Sequence, residues 1–187
     1  MNQVNNRGTF MVTKFAIPYL KKAKNPHVMI LCPPPNMSAH WFGNHLPYSM
    51  AKYGMTMSCL GFGHEHKKDG IAVNGLWPLT TVATAAINNV LGGSTLMNLS
   101  RTTDIMSDAA YEVLTADAKT CTGNFFVDED VMRHVGVTDF SKYKVDKRVP
   151  DDQILPDFFL EVVRTEDPKV RAYGEMMKKA TPPGVGH

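Results

Sequence analysis

Apolar positions in this chain fall into short blocks, each cut by prolines, glycines or clusters of charge. Over residues 3–23, Val4, Met11, Phe15 and Leu20 recur near helical spacing, and a lysine-rich last turn suits a helix C-terminus. Pro18 inside that stretch predicts a kink or a nearby turn. After the breaker Asn25-Pro26, HVMILC at 27–32 is a continuous apolar run and reads as a buried strand. Pro33 to Pro35 stop it. A loop rich in Asn, His, Trp and Phe reaches about residue 46. Pro47 then opens a helix that Asp69-Gly70 ends near residue 68. IAVNGLW at 71–77 is a second apolar strand, stopped by Pro78. Residues 80–99 read as helical in part, and 103–116 as a helix with Ile105, Ala109, Ala110 and Val113 inward. GNFFVD at 123–128 is a third strand. Beyond Lys147 the chain becomes rich in proline and charge, and residues 162–187 read as a polar, disordered tail.

This alternation of helix and strand predicts an α/β fold. Its parallel strands lie near 28–32, 71–76 and 124–128, with right-handed crossovers. The helix of Tyr48 lies between the first two. Three strands are few for a doubly wound sheet, so the pattern reads as the C-terminal part of one, with N-terminal strands missing.

Composition narrows the function. The 187 residues carry a net charge of +2 with both signs interspersed, which gives no footprint for nucleic acid or a membrane surface. Three cysteines, Cys32, Cys59 and Cys121, are odd in number and far apart, as free thiols in a reducing compartment would be. No apolar run is long enough to span a membrane, and the first residues carry no signal-peptide hydrophobic region.

Two stretches match Tyr-x-x-x-Lys, a pair that can move a proton at a carbonyl: Tyr48 with Lys52, and Tyr143 with Lys147. The pattern alone cannot choose between them, because chance supplies it easily. Tyr48 and Lys52 share a helix face and follow a strand and loop, near the strand end where open α/β sheets bind ligands. Tyr143 and Lys147 are flanked by charges beyond the last strand and read as solvated surface. His64 and His66 have no third ligand at zinc spacing and also read as surface, so no metal is expected. Met50, Met55 and Met57 read as packing or a helix–helix interface.

The ordered segments NNRGTF, HVMIL, YSMAKYGMTM, IAVNGLWP and TGNFFVDED together resemble the short-chain dehydrogenase/reductase family, over roughly residues 1–161. The resemblance implies hydride transfer between a nicotinamide cofactor, NADP or NAD, and a small carbonyl or alcohol substrate. It implies Tyr48 as general acid/base, with Lys52 lowering its pKa and holding the nicotinamide ribose. It gives Asn5 a place in the proton path and puts Pro78 and Thr84 beside the nicotinamide, Thr84 one residue beyond the usual spacing. The family's serine falls at Cys32 or Pro33, with Ser38 nearby but off the pattern. The glycine-rich strand-turn-helix that takes the cofactor pyrophosphate is absent from these residues; LGGS at 91–94 and GFG at 61–63 read as turn or packing glycines. Weak or no cofactor binding by this chain alone is therefore expected. The alternative is a non-catalytic, truncated form that associates with full-length subunits through the helices at 3–23 and 47–68. The resemblance points to the peroxisome or mitochondrion.

Overall fold

The computed structural model describes residues 1–43 and 45–160. The expected tail at 162–187 lies outside the described residues. Three strands, β1 (His27–Ile30), β2 (Ala72–Trp77) and β3 (Phe125–Val127), form one parallel sheet in the order β1-β2-β3. His27 is in register with Ala72, and Gly75 with Phe125. The α/β expectation with parallel pairing holds in all three strands.

Among the described residues six α-helices accompany the sheet: α1 (Thr9–Leu20), α2 (His40–Gly43), α3 (Leu46–Glu65), α4 (Gly93–Asn98), α5 (Asp104–Thr115) and α6 (Asp128–His134). Side chains alternate along β2, so the two faces carry different cores. Val73 packs with Ile17, Ile30, Cys59 and Phe62 on the α1/α3 side. Leu76 packs with Ile105, Ala109, Val113 and Met132 on the α5/α6 side. All six β2 residues are buried, as a central parallel strand requires. Gly75 is a packing necessity, since a Cβ there would lie 2.7 Å from the Phe125 ring and 3.0 Å from Cys32 Sγ.

The N-terminal helix differs from expectation in two ways. Its first turn, Gln3–Gly8, is π-helical before α1 begins, and Pro18 lies in the last turn, two residues before the helix ends at Leu20. Its buried residues are Thr13 and Ile17, while Val4 and Phe15 face out at 75% and 64% exposure. Val12 and Tyr19 join that outward stripe, and Met50 and Met57 are exposed on α3. The π turn lies against α3, where the Asn6 side chain fills the space above Gly54. Helix α6, unanticipated, starts directly at the end of β3 and carries Asp128, Glu129 and Asp130 in its first turn, which suits the positive end of its dipole.

Asn74 joins two of the motif segments. Its Nδ2 donates to Cys121 O at 2.7 Å, and its Oδ1 accepts from Asn124 N at 3.0 Å and Asn124 Nδ2 at 3.1 Å. Gly123 turns at φ +78°, which a glycine supplies without strain, and its N–H meets Val73 O. No helix among the described residues is long and apolar enough to cross a membrane.

Candidate active site

Helix α3 brings Lys52 to the carboxyl end of β1. Its Nζ donates to Leu31 O at 3.1 Å and stands 5.2 Å from the centre of the Trp77 ring, at the end of β2. One turn on, Thr56 Oγ1 donates to Pro33 O at 2.7 Å. These two bonds from i, i+4 positions clamp the residues on either side of Cys32 to the helix. Cys32 is therefore fully buried, as is Pro33. Neither faces open space, so neither stands in for a substrate-facing hydroxyl. The Cys32 thiol is held below its ordinary pKa, first by its hydrogen bond with Cys59, with Thr56 and the Lys52 charge adding and burial opposing. Ser38, with Asn36, instead lines an open cleft of about 680 Å³ between the proline loop and Phe159-Leu160.

Tyr48 is half-buried. Its ring stacks on Phe159 with centres 6.0 Å apart and 12° between planes, and Phe158 lies tilted at 6.2 Å. Phe159 also contacts Trp77 and Tyr53, so one aromatic cluster links Tyr48 to the ring beneath Lys52. Phe159 adopts φ +70°, a left-handed conformation that a bulky residue reaches only when its surroundings enforce it. Here the enforcement is near-complete burial, the Trp77 Nε1 bond to Phe158 O at 2.8 Å and the Asn36 Nδ2 bond to Phe159 O at 3.4 Å.

The electrostatics correct one expectation. Lys52 was expected to lower the Tyr48 pKa; in this structure that pKa is raised, first by burial and then by the Asp157 carboxylate. The Lys52 pKa is lowered by burial, with Cys32 and Asp157 opposing. A phenol held neutral is a proton donor rather than a ready base.

The loop after β2, Pro78 to Thr84, is pinned from several sides. Leu79 N–H donates to Asp128 Oδ1 at 2.8 Å, Thr81 N–H to Leu155 O at 2.8 Å, and Ala83 N–H to Arg101 O at 2.8 Å. Asp128 is fully buried, and burial pushes it up to about 6. Arg101 is buried against Glu129 in an ion pair, with Arg133 on the carboxylate's other oxygen at 2.7 Å. Thr84 itself is exposed, just before the helical stretch that includes Ile87–Gly92. Asn5 is half-buried in the π turn against α3.

Lys52 and the Pro78–Thr84 loop thus stand at the carboxyl ends of adjacent parallel strands, where open α/β sheets bind ligands. An ammonium has three donors, and Leu31 takes one, so the donor set fits the ribose and nicotinamide end of a dinucleotide.

Tyr143 is not solvated surface. It is 1% exposed in the α5/α6 core, and its hydroxyl donates to Asp108 Oδ2 at 2.7 Å. The turn Ser141–Tyr143 tucks the ring inward, while Lys147 points to solvent. His66 bonds Asp69 at 2.9 Å, and no group of metal-ligating side chains forms among the described residues. Sequence reasoning missed Asp157, Asp128, Trp77 and Phe159 as neighbours of the site.

No family model matches the chain. It is 48% identical over 161 residues to hydroxysteroid dehydrogenase-like protein 2 of Xenopus tropicalis and 43% identical over 161 residues to the protein of that name from Homo sapiens. Each alignment covers 86% of this chain and 37% of the relative, so the chain spans well under half the length of the curated relatives it matches. Among solved structures, it is similar to a Xanthomonas campestris protein described as a candidate dehydrogenase, with TM-score 0.80 and 42% identity over 86% of this chain and 57% of that one. It is similar also to a short-chain dehydrogenase of Mycobacterium thermoresistibile, with TM-score 0.76 and 42% identity over 88% of this chain and 57% of that one.

Proposed function

We propose that this chain, a short-chain dehydrogenase/reductase relative by sequence and fold, carries the tyrosine–lysine half of a carbonyl/alcohol oxidoreductase site. The observation that carries the reading is the placement of Lys52 at the end of β1, on the helix of Tyr48, facing the Trp77 end of β2. A bound nicotinamide, of NAD or NADP, supplies the hydride chemistry. Tyr48 gives its phenolic proton to the substrate oxygen in reduction and takes one in oxidation. Lys52, with two donors left, holds the ribose and the charge balance beside Tyr48. Asn5 serves the proton path behind Lys52, and Pro78 and Thr84 frame the nicotinamide. Ser38 and Asn36 line the cleft on the substrate side, where the family's serine is replaced. On this reading the described residues hold the nicotinamide end of the site alone, and the assignment of peroxisome or mitochondrion rests on the resemblance. Tyr48→Phe in an active form that contains this site tests the reading: loss of turnover supports it, and retained turnover ends it.

A second reading has its own observation. Val12, Phe15 and Tyr19 on α1 and Met50 and Met57 on α3 expose an apolar face. A face of that kind fits association with like subunits through these two helices. Light scattering on Phe15→Asp and Met57→Asp variants tests it, with a shift to smaller species expected.

A further inference from the structure

Two consecutive residues, Phe158 and Phe159, both bring their rings to Tyr48, at 6.2 and 6.0 Å between centres. Neighbours in an extended chain point to opposite sides, so two of them reach one phenol only where the backbone turns. The turn is at Phe158-Phe159, and Phe159 adopts φ +70°. A turn position of positive φ ordinarily takes glycine, and a bulky residue there is strained. Glycine would make the turn without strain but would leave Tyr48 without its parallel ring. That ring is itself held on every side. It is 2% exposed, with Tyr53 edge-on at 5.2 Å and Trp41 and Trp77 each at 5.7 Å. The Trp77 indole donates to Phe158 O at 2.8 Å and Asn36 Nδ2 to Phe159 O at 3.4 Å. The Tyr53 hydroxyl donates to Asn36 O, so the residue that holds the Phe159 carbonyl is tied back to α3, the helix of Tyr48.

We propose that Phe159 is a positioning residue for Tyr48: its ring, aimed by the left-handed backbone, fixes the plane of the phenol and with it the direction in which the hydroxyl proton leaves. This deepens the preceding reading and rests on it. The outer torsion of a tyrosine side chain is broad when nothing packs on the ring. Rotation about it leaves the oxygen in place but swings the O–H, which lies in the ring plane. One ring stacked at 12° and a second tilted at 60° narrow that rotation. Alignment of this kind is what a proton donor needs within hydrogen-bond reach of a substrate oxygen, and its loss is costly in rate. Phe159 also lines the open cleft with Asn36 and Ser38, so one strained residue is set against both the phenol and the cleft.

The test is 19F NMR of the chain labelled with 3-fluorotyrosine, with the Tyr48 resonance identified by its loss in Tyr48→Phe. In the unaltered chain that resonance is expected to be displaced from free 3-fluorotyrosine by the stacked ring. In Phe159→Leu and in Phe159→Gly it is expected to move toward the free position. Leucine keeps apolar bulk without the stack, and glycine relieves the left-handed backbone, so the two variants perturb folding in different ways. A Tyr48 resonance at the free position in the unaltered chain, or one that neither substitution moves, overturns the inference. In an active form that contains this site, Phe159→Leu is expected to lower kcat by at least about tenfold, and an unchanged kcat overturns it as well. The spectra need no turnover, so their failure is separate from the Tyr48→Phe result that decides the preceding reading.

Discussion

The Lys52 ammonium donates to the Leu31 carbonyl at 3.1 Å, one residue past the end of β1. A helix side chain thus reports to a strand end, and the helix position four residues earlier, Tyr48, is carried to the same aromatic cluster. Tyr143 has no comparable relation to a strand end, since its hydroxyl is committed to Asp108.

The two tyrosines should therefore respond differently. Tyr48→Phe in an active form is expected to lower kcat by at least about 100-fold, the range for loss of a positioned acid. Tyr143→Phe is expected to leave kcat in place and cost about 1 kcal/mol of stability, the worth of one hydrogen bond. Steady-state kinetics and urea unfolding of both variants check this, and equal kinetic losses would end the assignment.

Gly75 is the tightest point of the sheet. Gly75→Ala puts a methyl 2.7 Å from Phe125 and 3.0 Å from Cys32 Sγ in a fully buried strand. A destabilisation of about 1–3 kcal/mol is expected from overpacking. Thermal unfolding measures it, and an unchanged midpoint would show that β3 moves away freely.

Asp128 supplies a pH-dependent stability term. Burial pushes its carboxyl up to about 6, against the Leu79 and Glu129 N–H bonds and the Arg101 charge. Its unfolded value is near 3.9, so the folded state binds this proton more tightly than the unfolded chain. The ionised group therefore lowers stability: the deficit is absent below about pH 4, grows with pH, and is complete above about 6. Asp128→Asn retains an acceptor for both N–H groups and removes the charge. Its effect on the melting temperature is expected to be more favourable at pH 8 than at pH 4, and a difference of the opposite sign would count against this account.

Binding of NAD or NADP by this chain alone is expected to be weaker than micromolar. On the proposed reading Lys52, Pro78 and Thr84 would reach the nicotinamide end, while a dinucleotide is gripped chiefly through its pyrophosphate at a glycine-rich turn and helix N-terminus. Isothermal titration with each cofactor checks this, and micromolar binding by a monodisperse monomer would contradict it.

The sheet was legible because its strands are short apolar runs with abrupt stops, such as HVMILC before three prolines and IAVNGLW before Pro78. The start of the helix of Tyr48 was legible from Pro47; its end comes earlier than the sequence reads, since the helix stops at Glu65 and Gly70, at φ +71°, closes the 3-10 turn Lys67–Asp69 that follows. What escaped was tertiary. Tyr143 reads as surface from its flanking lysines, yet Lys144 is itself nearly buried, bonded to Val149 O at 2.8 Å and Asp151 at 2.9 Å. Phe158 and Phe159 meet partners about 80 to 120 positions earlier in the chain, beyond the reach of any local period. The outward turn of Val4 and Phe15 escaped because a helical stripe says which residues share a face, not which face is covered.

Asn74 also bears on the order of folding. Its side chain ties β2 to the turn before β3 across separations of 47 and 50 residues. A bond over such a span repays its loop-closure entropy only after α5 has brought the chain back. The clamp therefore belongs to the late side of the folding barrier, where it acts on how slowly the sheet comes apart rather than on how fast it assembles.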